Sequence, residues 1–305
     1  EVKVSELSER GFTLEALLRF YRLLGREVMP HFDPDRHSTA DVVREAIIPR
    51  TASTPFGPCA LAAVFMDGEP TPAQRMVTHA WSGRFADLVA GTVADALGCP
   101  TYEALLPRLR PVELGRLVEE LRRAGCLQLR YWICAVSVNQ HAGICGSPRG
   151  QGVACKCGHP KWWNDTPPLS ADGESVPCEM NKFDGMMSLL ASTEPLFRQV
   201  VVVDRHFDLF ARAWCVAEIH QARTAGMQQV LVLSTRSSLE AHRSALAVLR
   251  VEDMQASREE DRRMILARIG DTALFNHSLR WLVLDGRAGL VAGWQDAASI
   301  ADALG

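Results

Sequence analysis

Between residues 74 and 235 the chain alternates short apolar runs with longer stretches in which apolar positions recur every three or four residues. Residues 76–81 (MVTHAW) read as a first strand, and Ser82-Gly83-Arg84 as the turn that ends it. Residues 85–97 carry a helical stripe that Gly98 closes. A second helix is expected over 111–124, and a second, nearly all-apolar strand over 129–138. A helix over 181–190 follows, then the β-branched run Val200-Val201-Val202-Val203, which has the character of a strand covered on both faces. A helix from residue 207 or 208 to about 223 and a strand over 229–233 complete the series. Strands alternating with helices imply a parallel sheet with right-handed crossovers.

The flanks differ. Residues 1–73 form a helical preamble, with helical spacing at 13–21 and a short helix capped at Ser38 and ended by Pro49. Residues 236–305 are mostly helical, and Ser257-Arg258-Glu259-Glu260 has the spacing of a capping box ahead of 261–269. Residues 140–180 are an irregular insertion rich in Gly, Pro and Cys; so long a stretch inside a compact domain is usually functional or metal-stapled. The domain plan expected is therefore 1–73, an α/β domain over 74–235 interrupted by the 140–180 insertion, and 236–305.

Composition narrows the class. The 305 residues are 47% hydrophobic and 23% charged, with a formal charge of -3, values of a globular chain with a substantial core. There is no basic excess for nucleic acid and no apolar stretch long enough for a bilayer. Nine cysteines, several inside apolar elements, fit a reducing, cytoplasmic setting better than a disulfide framework. The signatures of a Rossmann dehydrogenase, a P-loop NTPase and an α/β-hydrolase nucleophile are absent from the sequence.

In parallel sheets ligands bind where the strands end. Here those ends are His79-Ala80-Trp81-Ser82, Ser137-Val138-Asn139-Gln140-His141 and Asp204-Arg205-His206, polar or aromatic after greasy strand bodies. Glu218 lies four residues after Trp214, on a helical face that otherwise carries small or apolar residues such as Ala211, Cys215 and Ala222. A carboxylate on such a face is paired or working; a surface ion pair is the ordinary alternative. Trp81 or Trp214 could stack on a flat ring. Arg84, at a helix start, could meet phosphate; an exposed turn arginine is the alternative. His79, Ser82, Asn139 and Gln140 complete the candidate pocket. In the insertion Cys145, Cys155, Cys157 and Cys178 offer four thiolates, with His141 and His159 nearby, so that four sulfurs, or three and an imidazole, satisfy tetrahedral zinc. Such a zinc would be a structural staple; free or redox-active thiols are the alternative.

Two segments carry a resemblance. Tyr131-Trp132-Ile133-Cys134-Ala135-Val136-Ser137-Val138-Asn139-Gln140 resembles the heterokaryon-incompatibility (HET) signature Y-x-W-I-D-x-L-C-I-N-Q, with Cys134 where that signature has Asp. Arg212-Ala213-Trp214-Cys215-Val216-Ala217-Glu218-Ile219 resembles the plant TIR pattern S-x-W-C-L-x-E-L and the HET pattern R-x-W-x-x-Q-E. Together they look like the TIR superfamily over about residues 74–235. The resemblance implies a flavodoxin-like α/β fold and, in catalytic members, cleavage of the nicotinamide–ribose bond of NAD, with or without cyclisation of the product. The family's catalytic Glu maps onto Glu218, and self-association is the expected partnership. Two other functions stay open: a non-catalytic TIR-like signalling module, and an N-glycosidase acting on nucleosides or nucleotides.

Overall fold

A computed structural model describes residues 2–146, 155–162, 169, 172–173, 178–256, 258–269 and 271–304, with only the backbone of 300–304. Much of the insertion, and Ser257 of the expected capping box, lie outside these residues. The chain is α/β. Among the described residues five strands, β1 (Phe12–Thr13), β2 (Arg75–Thr78), β3 (Arg130–Ile133), β4 (Arg198–Val202) and β5 (Gln228–Val232), form a sheet in the order β1-β3-β2-β4-β5. The chain divides into two compact units, each made of two stretches, Glu1–Met76 with Gly125–Phe197 and Val77–Ala124 with Arg198–Gly305. The units interleave in sequence, whereas the three expected segments followed one another.

In the first unit β1 pairs antiparallel with β3, Phe12 opposite Tyr131. Helix Leu14–Leu23 follows at once, because the Thr13 hydroxyl accepts from the Ala16 N–H and caps it. Trp132 is buried, donates from its indole to the Leu7 carbonyl at 3.0 Å, and meets the Phe183 ring edge-on. Ser38 caps its helix, as the sequence suggested, and Asp41 completes a capping box with it. Pro49 does not end that helix. A π-helical stretch, Val43–Ile47, lets the Ile48 N–H reach the Val43 carbonyl, and the chain coils on through Thr51. Pro sits in the first turn of this last piece, where its missing N–H costs little.

The apolar run 129–138 is strand only as far as Ile133; Cys134–Ser137 is a helical turn. The Ser137 hydroxyl accepts from the Ile133 N–H, and the Gln140 amide donates to the Cys134 and Ala135 carbonyls, so side chains close this turn. A continuous apolar run cannot by itself distinguish strand from buried helix.

In the second unit β4 and β5 are parallel, Val200 opposite Val230 and Val202 opposite Val232. Helix Phe85–Leu97 ends at Gly98, whose φ of 70° supplies the left-handed cap that the sequence anticipated. The same helix sits against β4 at Gly91, where an added Cβ would lie 2.3 Å from a Val202 methyl. The segment before Glu218 is less regular than its periodicity suggested. Phe207 has a φ of 59°, Asp208–Ala211 is a 3-10 turn, Arg212 is extended, and the helix begins only at Ala213. The Asp204 carboxylate causes the delay by accepting from the N–H groups of His206, Asp208 and Leu209. Ala211 is therefore exposed and off the helix, while Cys215 and Ala222 are buried on it.

Helices Arg236–Leu246, Glu259–Arg268, Thr272–Leu284 and Leu290–Leu304 contribute Leu239, Ile265, Leu279 and Trp294 to the core of this unit. Helix Glu259–Arg268 starts two residues before the expected point. Its cap is Arg258, which makes no side-chain capping bond. No helix among the described residues is long and apolar enough to cross a membrane.

Candidate functional site

Two arrangements of polar side chains stand out, one in each unit. In the second unit a directed hydrogen-bond chain ends on Glu218. The Gln229 amide donates to the Ile219 carbonyl at 2.9 Å and to the Gln199 side-chain oxygen at 2.8 Å. A backbone carbonyl only accepts, so this contact fixes which end of Gln229 is the nitrogen. Gln199 must then donate to the Thr78 hydroxyl, at 2.8 Å, and the Thr78 hydroxyl donates to Glu218 Oε2, at 2.7 Å. Thr78 and Gln199 are buried and Glu218 is half-buried. From Gln229 through Gln199 and Thr78 each link donates toward Glu218, whose Oε2 is the acceptor. The neighbouring Cys215 thiol donates to the His79 carbonyl at 3.3 Å, a second tie between helix Ala213–Thr224 and the end of β2.

The other expected pocket residues have varied settings. His79 is buried with neither ring nitrogen hydrogen-bonded among the described residues. Burial lowers its pKa to about 4; the Val77 backbone opposes this weakly but lies outside hydrogen-bond geometry. His79 is thus a neutral, desolvated imidazole. Trp81 is half-buried and Ser82 exposed. Arg84 grips Asp87 with two bonds, 2.6 and 3.1 Å, so its guanidinium already serves a carboxylate in the first turn of helix Phe85–Leu97. That acid opposes an anion at the same helix start. Trp214 packs on the core and points its indole N–H at Asp261, 3.5 Å away. Asn139 and Gln140 belong to the first unit, the Asn139 amide engaged on the Pro58 carbonyl and the His159 ring and the Gln140 amide on the Cys134 carbonyl. A groove of about 560 Å³ lies elsewhere in the second unit, lined by Arg236, Glu240, Trp294 and Gln295, and none of the expected residues lines it.

In the first unit His141, Cys145, Cys155 and Cys157 converge, one ligand atom from each, all within 4.8 Å of one another. Cys145 and Cys157 sulfurs are 3.6 Å apart, and the Cys155 sulfur is 3.5 Å from His141 Nδ1. A tetrahedral ion with ordinary zinc bond lengths has edges of about 3.8 Å between sulfurs and about 3.5 Å from sulfur to nitrogen. The four residues could hold a metal ion. Three of the four expected thiols are here, and the fourth place belongs to His141 in place of Cys178. Cys178 is buried at the entry to helical residues 180–193, where backbone N–H groups of Met180 and Asn181 face its sulfur.

Asn139 organises the cluster. It accepts from the His141 N–H and donates to the His159 ring and to the Pro58 carbonyl. Glu179 holds the Asn139 N–H at 2.8 Å and is itself paired with Arg10. Without an ion, burial pushes the Cys145 thiol up to about 11, and burial followed by the Lys161 charge holds His141 below its usual value. A neutral imidazole is the form a metal requires. Sequence reading missed Thr78, Gln199, Gln229, Thr51 and Lys161. The first three stand as polar residues at the ends of the apolar strand runs, Thr78 after Met76-Val77, Gln199 before Val200 and Gln229 before Val230, which is a usable signal.

No protein-family model, curated protein or solved structure matches this chain. Fold and sites together define an α/β protein with a Cys3His cluster able to hold a metal ion.

Proposed function

We propose that the chain hydrolyses the nicotinamide–ribose bond of NAD, with Glu218 as the carboxylate that stabilises the reacting sugar. The observation that carries this reading is the chain from Gln229 through Gln199 and Thr78, which holds a half-buried Glu218 as an acceptor. Nicotinamide is cationic within NAD and departs neutral, so the step needs no strong acid. Charge develops on the ribose as an oxocarbenium-like cation, and a fixed carboxylate beside it lowers the barrier. Water then adds to the anomeric carbon, giving ADP-ribose, nicotinamide and one proton. The strand order supports a flavodoxin-like reading: with β1 set aside, the remaining four strands run 2-1-3-4 in their own chain order. The TIR-like segment Arg212–Ile219 provides the helix that carries Glu218.

Incubation of the purified protein with NAD, following free nicotinamide, tests the proposal. Wild type should turn over, and Glu218→Ala should lose about 100-fold or more of that rate. Absence of turnover at every protein concentration, together with concentration-dependent assembly, would replace this reading with a non-catalytic signalling module. Turnover of nucleosides alone would select the nucleosidase.

For the cluster in the first unit the ion we propose is zinc, acting as a staple. Three thiolates and an imidazole fill four tetrahedral positions and leave none for water, the pattern of structural rather than catalytic zinc. One equivalent of zinc in the wild type, and loss of it in a Cys155→Ser/Cys157→Ser variant, is the expected result. A metal-free, stably folded wild type would end the zinc reading.

A further inference from the structure

The contacts around the four ligands say more than their number. Thr51 is fully buried, and its hydroxyl lies 2.7 Å from the Ile47 carbonyl and 2.9 Å from His141 Nε2. A hydroxyl has one proton. The carbonyl can only accept, so that proton goes to Ile47, the i−4 back-bond common for threonine in helices. The Thr51 oxygen is left to accept, and His141 Nε2 must be the protonated nitrogen. Nδ1 then carries the bare lone pair, and Nδ1 is the atom 3.5 Å from the Cys155 sulfur.

Lys161 supplies the second half. Its ammonium donates to the His141 carbonyl at 2.6 Å, to the Cys145 sulfur at 2.9 Å and to the His159 carbonyl at 3.1 Å. An ammonium has three donors, and these contacts use all of them. Two are backbone carbonyls of the cluster's own loops, so the cation is positioned by the fold and not by the sulfur alone. The His159 N–H also faces the Cys157 sulfur, at 3.4 Å. One divalent ion with three thiolates carries a net charge of −1, and the Lys161 cation brings the assembly to neutrality. A partly buried site tolerates that better than an uncompensated charge.

We infer that the site binds one zinc ion through His141 Nδ1 and the sulfurs of Cys145, Cys155 and Cys157, with Thr51 fixing the histidine tautomer and Lys161 serving as a built-in counter-cation. Binding releases three thiol protons to solvent and involves no change of oxidation state. The inference rests on the zinc reading above and goes beyond it in assigning the ligating nitrogen and two positioning residues. Groups of this kind are worth about 10- to 100-fold in metal affinity.

The test uses the full chain loaded with zinc and needs no variant for its first arm. Long-range proton–nitrogen correlation spectra of the histidine rings should show His141 protonated at Nε2 and metal-bound at Nδ1. Competition against a colorimetric chelator then compares wild type with Lys161→Met, which keeps most of the aliphatic stem, and with Lys161→Arg and Thr51→Val. We expect about 10- to 100-fold weaker zinc retention in Lys161→Met, partial recovery in Lys161→Arg, and, in the zinc-free protein, a mixed His141 tautomer in Thr51→Val where the wild type is protonated at Nε2. Zinc bound stoichiometrically but through Nε2, or held equally well by Lys161→Met, would overturn the inference and leave the zinc reading standing. Failure of the wild type to bind zinc at all would remove both.

Discussion

In the first unit the converging side chains come from chain with little regular structure: His141 and Cys145 sit in turns, and Cys155 and Cys157 in an irregular stretch. In the second unit Thr78, Gln199 and Gln229 stand on three strands, and Glu218 on a helix. The difference concerns what holds each group in place. Strand and helix side chains are positioned by backbone ladders and core packing already present. Turn residues without such support must be held by the groups they converge on, and three thiols brought within a few ångströms need a reason to stay. The second site is therefore expected to outlast any treatment of the first unit's sulfurs, and the first to depend on the zinc ion proposed for it.

Removing the ion should break the comparison most visibly. A strong chelator is expected to abolish amide-exchange protection over residues 139–146 and 155–162, and to make Cys145, Cys155 and Cys157 reactive to a thiol reagent. It should leave helix Ala213–Thr224 protected. Structural zinc contributes on the order of 10 kcal/mol in small zinc domains, so the loss should be all-or-none on the scale of a domain's stability. Segment-resolved hydrogen exchange before and after chelation measures it. Equal protection of 139–146 and 155–162 in both states would show that these loops hold themselves.

The next effect belongs to the second unit and to acid. Unfolded, the His79 imidazole titrates near 6.5, and folded it titrates near 4. Above pH 6.5 it is neutral in both states and its burial carries no penalty in charge. As pH falls from 6.5 toward 4, the unfolded chain takes up a proton that the folded chain refuses, and stability is lost. The full loss, reached below pH 4, is about 3 kcal/mol. Chemical denaturation at several pH values, with exchange read in the second unit, should show this acid limb in wild type and a shallower one in His79→Phe. An identical limb in both would remove His79 as its cause.

Packing ranks below this. Gly91→Ala puts a methyl carbon 2.3 Å from a Val202 methyl, and a β-branched strand residue has little freedom to yield. Overpacking of this kind costs about 1–3 kcal/mol, even though alanine is the better helix former. The melting of the second unit should fall accordingly. An unchanged or raised stability would mean that helix Phe85–Leu97 and β4 separate easily.

How much of this could be read from the sequence follows the same division. Helix Phe85–Leu97 and its Gly98 cap were legible because periodicity and a left-handed glycine are local signals. The strands around Val200–Val202 and Val230–Val232 were legible as β-branched runs. Residues 134–137 and 207–212 were not, because Ser137 and Asp204 redirect the backbone through hydrogen bonds that hydrophobic patterning does not register. The cysteines announced a cluster, but their spacing could not choose between Cys178 and His141. The fold makes that choice by setting the His141 ring beside Cys155, with its other nitrogen on Thr51, ninety positions away in sequence. Glu218 was visible as a lone acid on an apolar face, whereas the threonine and glutamines that orient it come from strands far apart in the chain.

The smallest effect tests that orientation directly. Thr78→Val keeps the shape of the side chain and deletes the hydroxyl. Gln199 then loses an acceptor and Glu218 a donor, both at buried or half-buried positions. Thr78→Ser keeps the hydroxyl and deletes one methyl, worth about 0.8 kcal/mol of burial. If the hydrogen-bond chain matters, Val should be less stable than Ser by about 1 kcal/mol, although Val retains more apolar surface and has the higher strand propensity. On packing alone the order reverses. The sign of the difference, read from paired denaturation curves, decides whether Glu218 is held by a directed proton or merely lies beside one.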